Sequence, residues 1–164
     1  MPSTYEPIQT ITVSGTGTSG ITFSSIPQTY TDLVLVSWIA ITTSPGGYAY
    51  MRFNADASSS YNYVTMVASG ATRTSAKTTG VTNLSIIRTG DTTSRYASNE
   101  TSIMNYSSTV TGKSILNRGT RVGLTEQSAG NFAKTTAITA LEVAPITGNF
   151  SDGCNFTLYG ILSA

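Results

Sequence analysis

An all-β sandwich of two sheets is the fold this sequence predicts, and three observations carry the prediction. Apolar and polar residues alternate with a period of two in one segment after another. Those segments are rich in Val, Ile, Thr, Tyr and Phe, and clusters of Gly, Pro, Ser and Asn punctuate them at short intervals. At 164 residues, 39% of them hydrophobic, the chain suits one domain that buries a single core without disulfide or metal. We divide it into an extended N-terminal arm, residues 1–7, and a sandwich domain, residues 8–164.

Ile8 to Val13 alternates weakly and ends in the turn-rich stretch 14–20, after which Ile21, Phe23 and Ile26 lead to Pro27. Asp32 to Thr42 is the strongest segment. Leu33, Leu35, Ile39 and Ile41 fall on one face and Val34, Val36, Trp38 and Ala40 on the other, so both faces are expected to be covered, in a central strand or against a partner subunit. Pro45-Gly46-Gly47 closes it with strong turn chemistry. Tyr48 to Asn54 returns, and Tyr61 to Ala68 repeats the style after a polar turn. The stretch 69–80, all Ser, Thr, Ala and Gly apart from Arg73 and Lys77, reads as an exposed loop.

In the second half, Val81 to Arg88, Thr101 to Tyr106, Lys113 to Asn117 and Arg121 to Thr125 each have room for a short strand, with Arg118-Gly119 as one of the turns. Between Asn131 and Glu142, Phe132, Ala137, Ala140 and Leu141 roughly follow a helical spacing. The β-branched Thr135, Thr136, Ile138 and Thr139 favour extended backbone, so Ala137 to Val143 is assigned as a strand. Asn155 to Leu162 completes a set of about ten short strands with no substantial helix.

Composition limits the chemistry. The chain has no histidine and one cysteine, so the side chain best suited to proton transfer near neutral pH and to zinc is missing. Lys77, Lys113 and Lys134 lie in polar contexts without a Ser-x-x-Lys signature, and the eight acidic residues form no motif, so neither a serine hydrolase nor a glycosidase is expected. Asp56, Asp91 and Asp152 lie in loops where calcium binding is conceivable and turn chemistry is simpler. No enzyme activity, cofactor or metal is expected. A net charge of +1 without basic clusters argues against nucleic acid, and the longest apolar run, Leu33 to Ile41, is about half a membrane span. The first residues lack the basic start and apolar run of a secretory signal. Cys154 has no partner for a disulfide and reads as a buried filler.

The nine tyrosines are the one interaction signal. Tyr48, Tyr50 and Tyr61, with Trp38 and Arg52, are candidates for a half-exposed strand face, a subunit interface or a carbohydrate groove. Pro2, Tyr5 and Pro7 read as a frayed end or as an arm that docks on a neighbour.

The opening MPSTYEPIQT, then ITFSSIPQTYTDLVLV, the MRFN of Met51 to Asn54 and the closing GNFSDGCNFTLYGI together resemble a family of small tailed-bacteriophage virion structural proteins, in the same order across nearly the whole chain. The resemblance implies a jelly-roll-like antiparallel β-sandwich that self-associates, a homotrimer being favoured. It also implies display on the virion as a capsid decoration or cement protein bound between capsomers of the major capsid protein, after assembly in the host cytoplasm. The alternative it leaves is a tail or fibre component that binds a host receptor or glycan. It supplies no catalytic residues.

Overall fold

The computed structural model describes residues 4–43, 47–90 and 96–162. Among them are twelve strands and no helix. In chain order the strands are Tyr5–Thr12 (β1), Ile21–Phe23 (β2), Asp32–Ile39 (β3), Tyr48–Phe53 (β4), Tyr61–Ser69 (β5) and Thr72–Val81 (β6). Then follow Leu84–Arg88 (β7), Ala97–Met104 (β8), Lys113–Arg121 (β9), Leu124–Phe132 (β10), Leu141–Pro145 (β11) and Asn155–Ile161 (β12). One sheet has eight strands in the order β1-β12-β3-β8-β9-β10-β5-β6; the other has four, β2-β11-β4-β7.

The order is that of a jelly roll with two added hairpins. First pairs with last (β1 with β12), β2 with β11, β3 with β8 and β4 with β7, all antiparallel, as though one long ribbon of paired strands had been wrapped around a core. β12–β3 and β11–β4 pairing closes each half of the wrap into a sheet. The β5–β6 and β9–β10 hairpins extend the first sheet beyond β8.

Period-two patterning explains which residues fill the space between the sheets. Leu33, Leu35 and Ile39 of β3, Met51 and Phe53 of β4, Leu141 and Val143 of β11, and Phe156 and Leu158 of β12 all point inward and are buried. Phe53, Tyr61 and Phe132 pack their rings together at one end of the core, and Phe150 packs on Phe156 at another. Cys154 is buried as expected, its Sγ 3.2 Å from both N and O of Ala40, and burial pushes the thiol pKa up.

Several sequence assignments need correction. The stretch 69–80 is strand rather than loop. β6 pairs with β5 along its length after a turn with Gly70 at φ 55, and it stays exposed or half-buried throughout because its job is backbone pairing rather than burial. β9 runs on from the assigned Lys113–Asn117 to Arg121, and the assigned strand Arg121–Thr125 instead holds the β9–β10 turn at Val122-Gly123, with Gly123 at φ 74, so that β10 begins at Leu124. Gly119, read as part of a turn, is mid-strand. β11 starts at Leu141, and residues 133–140 are irregular although Ile138 is fully buried. On β3 the inner face is covered, but Val36 and Trp38 on the outer face are exposed. Tyr5, Glu6 and Pro7, assigned to the arm, belong to β1 and pair with Ile161, Gly160 and Tyr159. Pro2, Pro45, Gly46 and Asp91 lie outside the described residues.

A polar seam joins the sheets where apolar packing ends. β7 is an edge strand of the small sheet, and side chains from the large sheet finish its backbone. The Asn99 amide accepts from Arg88 N–H at 3.0 Å and donates to Arg88 O at 2.8 Å. Asn117 donates to Ile86 O at 2.6 Å and accepts from the Thr101 hydroxyl at 2.8 Å. All five residues are buried, where an unpaired backbone polar group costs about 1–3 kcal/mol.

Gly119 makes room for this seam, because a Cβ there would sit 2.3 Å from Asn99 Oδ1. Gly119→Ala is therefore expected to lower unfolding stability by about 2–3 kcal/mol through forced displacement of the amide, measured by urea denaturation. Gly47→Ala, where nothing lies within 4 Å, is the control expected to stay close to wild type.

Candidate functional site

Two outward faces and one buried cluster hold the interaction chemistry. On the four-stranded sheet, alternation along β4 puts Tyr48, Tyr50 and Arg52 on the outer side and Ala49, Met51 and Phe53 in the core. Glu142, opposite Arg52 in β11, accepts from the Tyr50 hydroxyl at 3.0 Å and from Arg52 Nη1 at 3.2 Å, and the guanidinium lies 4.9 Å from the Tyr50 ring centroid. Burial first, then the bond to Glu142, raise the Tyr50 pKa. This patch is satisfied internally, with its charges paired and its hydroxyl engaged.

Tyr48 belongs to a deeper cluster. The Arg88 guanidinium lies 4.0 Å from its ring centroid and donates to its hydroxyl at 2.6 Å. Arg88 also pairs with the fully buried Glu126, whose other oxygen accepts from Ser128 at 3.1 Å. Burial first, then the Glu126 charge, raise the Tyr48 pKa. The cluster bolts β4 and β7 to β10, and Arg88 Nε is left without a partner. Arg88 thus bridges the half-buried Tyr48 to the fully buried Glu126. Lys113 is likewise fully buried, its ammonium donating to the carbonyls of Ser108, Thr111 and Thr135 at 2.5–3.0 Å, and burial lowers its pKa. It ties the loop before β9 to the strand-free stretch after β10. Among the described residues no three Cys, Asp or Glu side chains gather.

The outer face of the eight-stranded sheet is different. Register places Val36, Glu100, Arg118, Gln127 and Met66 in one row across β3, β8, β9, β10 and β5. The next row holds Val34, Ser102, Leu116, Ala129 and Val64. Val36, Trp38, Val64, Met66 and Leu116 are each 42–57% exposed, so five large apolar side chains face solvent from a single sheet face. Glu100 and Arg118 form an ion pair at 2.7 Å in the middle of it. A depression of about 430 Å³ lies over β9 and β10, lined by Met66, Glu100, Leu116, Arg118, Gln127 and Ala129, and a second of about 460 Å³ borders it towards β6.

The structure thus separates the residues that the sequence grouped. Tyr48, Tyr50 and Arg52 do share a face. Trp38 is on the opposite sheet, stacked on Tyr96 at 5.6 Å and 7° between planes. Tyr61 is fully buried, stacked on Phe132 at 4.8 Å; its hydroxyl donates to Asp56 O at 3.0 Å and accepts from Phe53 N–H at 3.1 Å, so it is a core residue and leaves the candidate interface. Tyr5 is exposed on the edge strand β1, ring edge to ring against Tyr159, and Pro7 is exposed beside a bulge. Sequence reasoning missed Leu116, Val64 and Met66. Val64 and Met66 lie two apart around Thr65, and Leu116 sits between Ile115 and Asn117, but parity alone does not say which face is covered.

No protein-family model matches this chain, and no curated protein does. Among solved structures, the marine PL-14 alginate lyase from Aplysia kurodai is similar over 94% of this chain and 82% of that chain, at 10% identity and a TM-score of 0.42.

Two outcomes test this description. Glu126→Ala leaves Arg88 charged and buried without its carboxylate, so a loss of about 3–5 kcal/mol is expected by chemical denaturation, against less than about 1 kcal/mol for Glu100→Ala in the exposed pair. The Tyr61 hydroxyl, pushed up by burial from the ordinary tyrosine value of 10.0 to about 12, favours its neutral form in the fold. Its contribution is complete below the unfolded pKa near 10 and is lost as pH rises towards 12. Over that window it amounts to about 3 kcal/mol. Tyr61→Phe should shrink the alkaline loss seen in denaturation curves across pH 9–12, at a cost of about 1–2 kcal/mol at neutral pH for the missing hydrogen bonds.

Proposed function

We propose that this chain is a non-catalytic structural protein that self-associates through the outer face of its eight-stranded sheet, and that its setting is a tailed-phage virion. The observation that carries the reading is the group of five exposed apolar side chains on one sheet face. Their spacing among Glu100, Arg118, Gln127 and Ser102 gives a mixed apolar and polar face, and exposed apolar surface rimmed by polar residues marks docking sites in soluble proteins. Eight strands spaced by about 4.8 Å, each some 27 Å long, give a face of roughly 1,000 Å², above the roughly 800 Å² per partner of a stable interface. The carboxylates and cations in the structure's interior serve backbone and each other, which supports a mechanical role in place of catalysis.

The virion setting rests on the sequence resemblance. A capsid decoration or cement protein works by many modest contacts repeated around a shell, so that avidity exceeds the affinity of any one interface. A self-adhering brick with two differently finished faces fits that work: one face for its own kind, and the tyrosine-lined face of β4 or the loops for the major capsid protein. A tail or fibre component that binds a glycan is the second reading, favoured by the Trp38–Tyr96 stack, which offers a half-exposed indole as a platform for a sugar ring.

Light scattering with size-exclusion chromatography tests self-association. The wild type is expected above the mass of one 17.2 kDa chain. Leu116→Glu is expected to weaken association at least tenfold with an unchanged far-UV spectrum, because it replaces a half-exposed apolar side chain at the centre of the face with a charge. Copies in the hundreds on the head, counted by electron microscopy of intact particles, fit decoration. Saturable glycan binding lost on Trp38→Ala would move the protein to the tail.

A further inference from the structure

We infer that the self-associating face is built for a two-fold axis, and that the charge pair Glu100–Arg118 sets it; the inference rests on the reading of that face as a self-docking surface. The two residues are register partners on β8 and β9, the middle of the exposed rows, with exposed apolar groups to either side. In an isologous interface each patch meets its own copy, so a patch is self-complementary only when opposite features lie on opposite sides of the axis.

An axis lying in the plane of the face, parallel to the strands and between β8 and β9, meets that condition. It sets β8 of one copy over β9 of the other and β3 over β10. Glu100 then faces Arg118 of the second copy, and Arg118 faces its Glu100. Val36, 42% exposed on β3, comes over the region of Gln127 on β10, where the depression of about 430 Å³ opens. An in-plane axis across the strands instead sets Glu100 against Glu100 and Arg118 against Arg118. Like charges facing each other across a desolvated interface cost several kcal/mol, so the pair selects one axis and rejects the other.

The test uses two charge reversals, Glu100→Arg and Arg118→Glu, alone and mixed. In each variant alone the two-fold places like charges in contact twice, and dissociation is expected to weaken affinity about 100-fold, leaving monomers. Mixed in equal amounts, the two variants present opposite charges at both contacts, and a heterodimer of twice the 17.2 kDa chain mass is expected by light scattering. Should either reversal fail to fold, Glu100→Gln and Arg118→Gln, which add no repulsion, are expected to weaken the wild-type dimer about tenfold each. Variants that associate like wild type, or a mixture that stays monomeric, overturn the two-fold while leaving self-association intact. A wild-type trimer does the same. A wild-type monomer at 100-fold the working concentration overturns both.

Discussion

An eight-stranded sheet covered by a four-stranded one leaves part of its inner face to be closed by something other than a second sheet, and much of this molecule follows from that mismatch. Over the jelly-roll half, Leu, Ile and Phe from both sheets interdigitate in the usual way. Past β8 the small sheet runs out at its edge strand β7, whose free backbone groups face the added strands. Asn99 and Asn117 bind them as a neighbouring strand would, and Arg88 reaches on to Glu126. The buried polar groups are therefore the hem of the sandwich. Their pairing costs desolvation that a hydrophobic closure would avoid, but it fixes where β7 ends and how the β9–β10 hairpin lies over it.

The same mismatch produces the open outer face. Adding two hairpins to one sheet widens it without adding anything to cover its far side, so the residues there are chosen against solvent or against a partner. Ser98, Ser102, Ser114 and Thr120 suit solvent; Val36, Leu116, Met66 and Val64 suit a partner. The smaller sheet's outer face makes the opposite choice, since Tyr50 and Arg52 are already engaged by Glu142 and Tyr48 by Arg88. The two faces are thus unequal in what they leave unsatisfied, which is why the apolar one carries the functional reading.

Much of this was legible in the sequence. Alternation found most strands and both sides of β3 and β4, since Leu35, Met51 and Phe53 sit in step with the pleat. The β5–β6 hairpin was hidden because a strand that pairs only through its backbone needs no apolar face, and the stretch 69–80 reads as loop for that reason. Gly119 misled because glycine signals a turn by default, whereas here it signals an amide packed against the backbone. Tyr61 misled in another way: a tyrosine suits a surface or a core equally, and only the carbonyl of Asp56 and the N–H of Phe53, brought close by folding, decide for the core. The rows across the outer face required register between strands distant in sequence, which no local pattern encodes.

The pairing of first strand with last has a mechanical consequence. Thr4 O accepts from Leu162 N–H at 3.2 Å, and Tyr5 lies opposite Ile161, so both described ends leave from one corner of the molecule. A pull applied through them would open the β1–β12 ladder one hydrogen bond after another, as a zipper opens, instead of loading all its bonds in shear. Tension borne along the chain is resisted weakly in that geometry. Whatever rigidity this fold lends to an assembly has to pass sideways, through its broad faces.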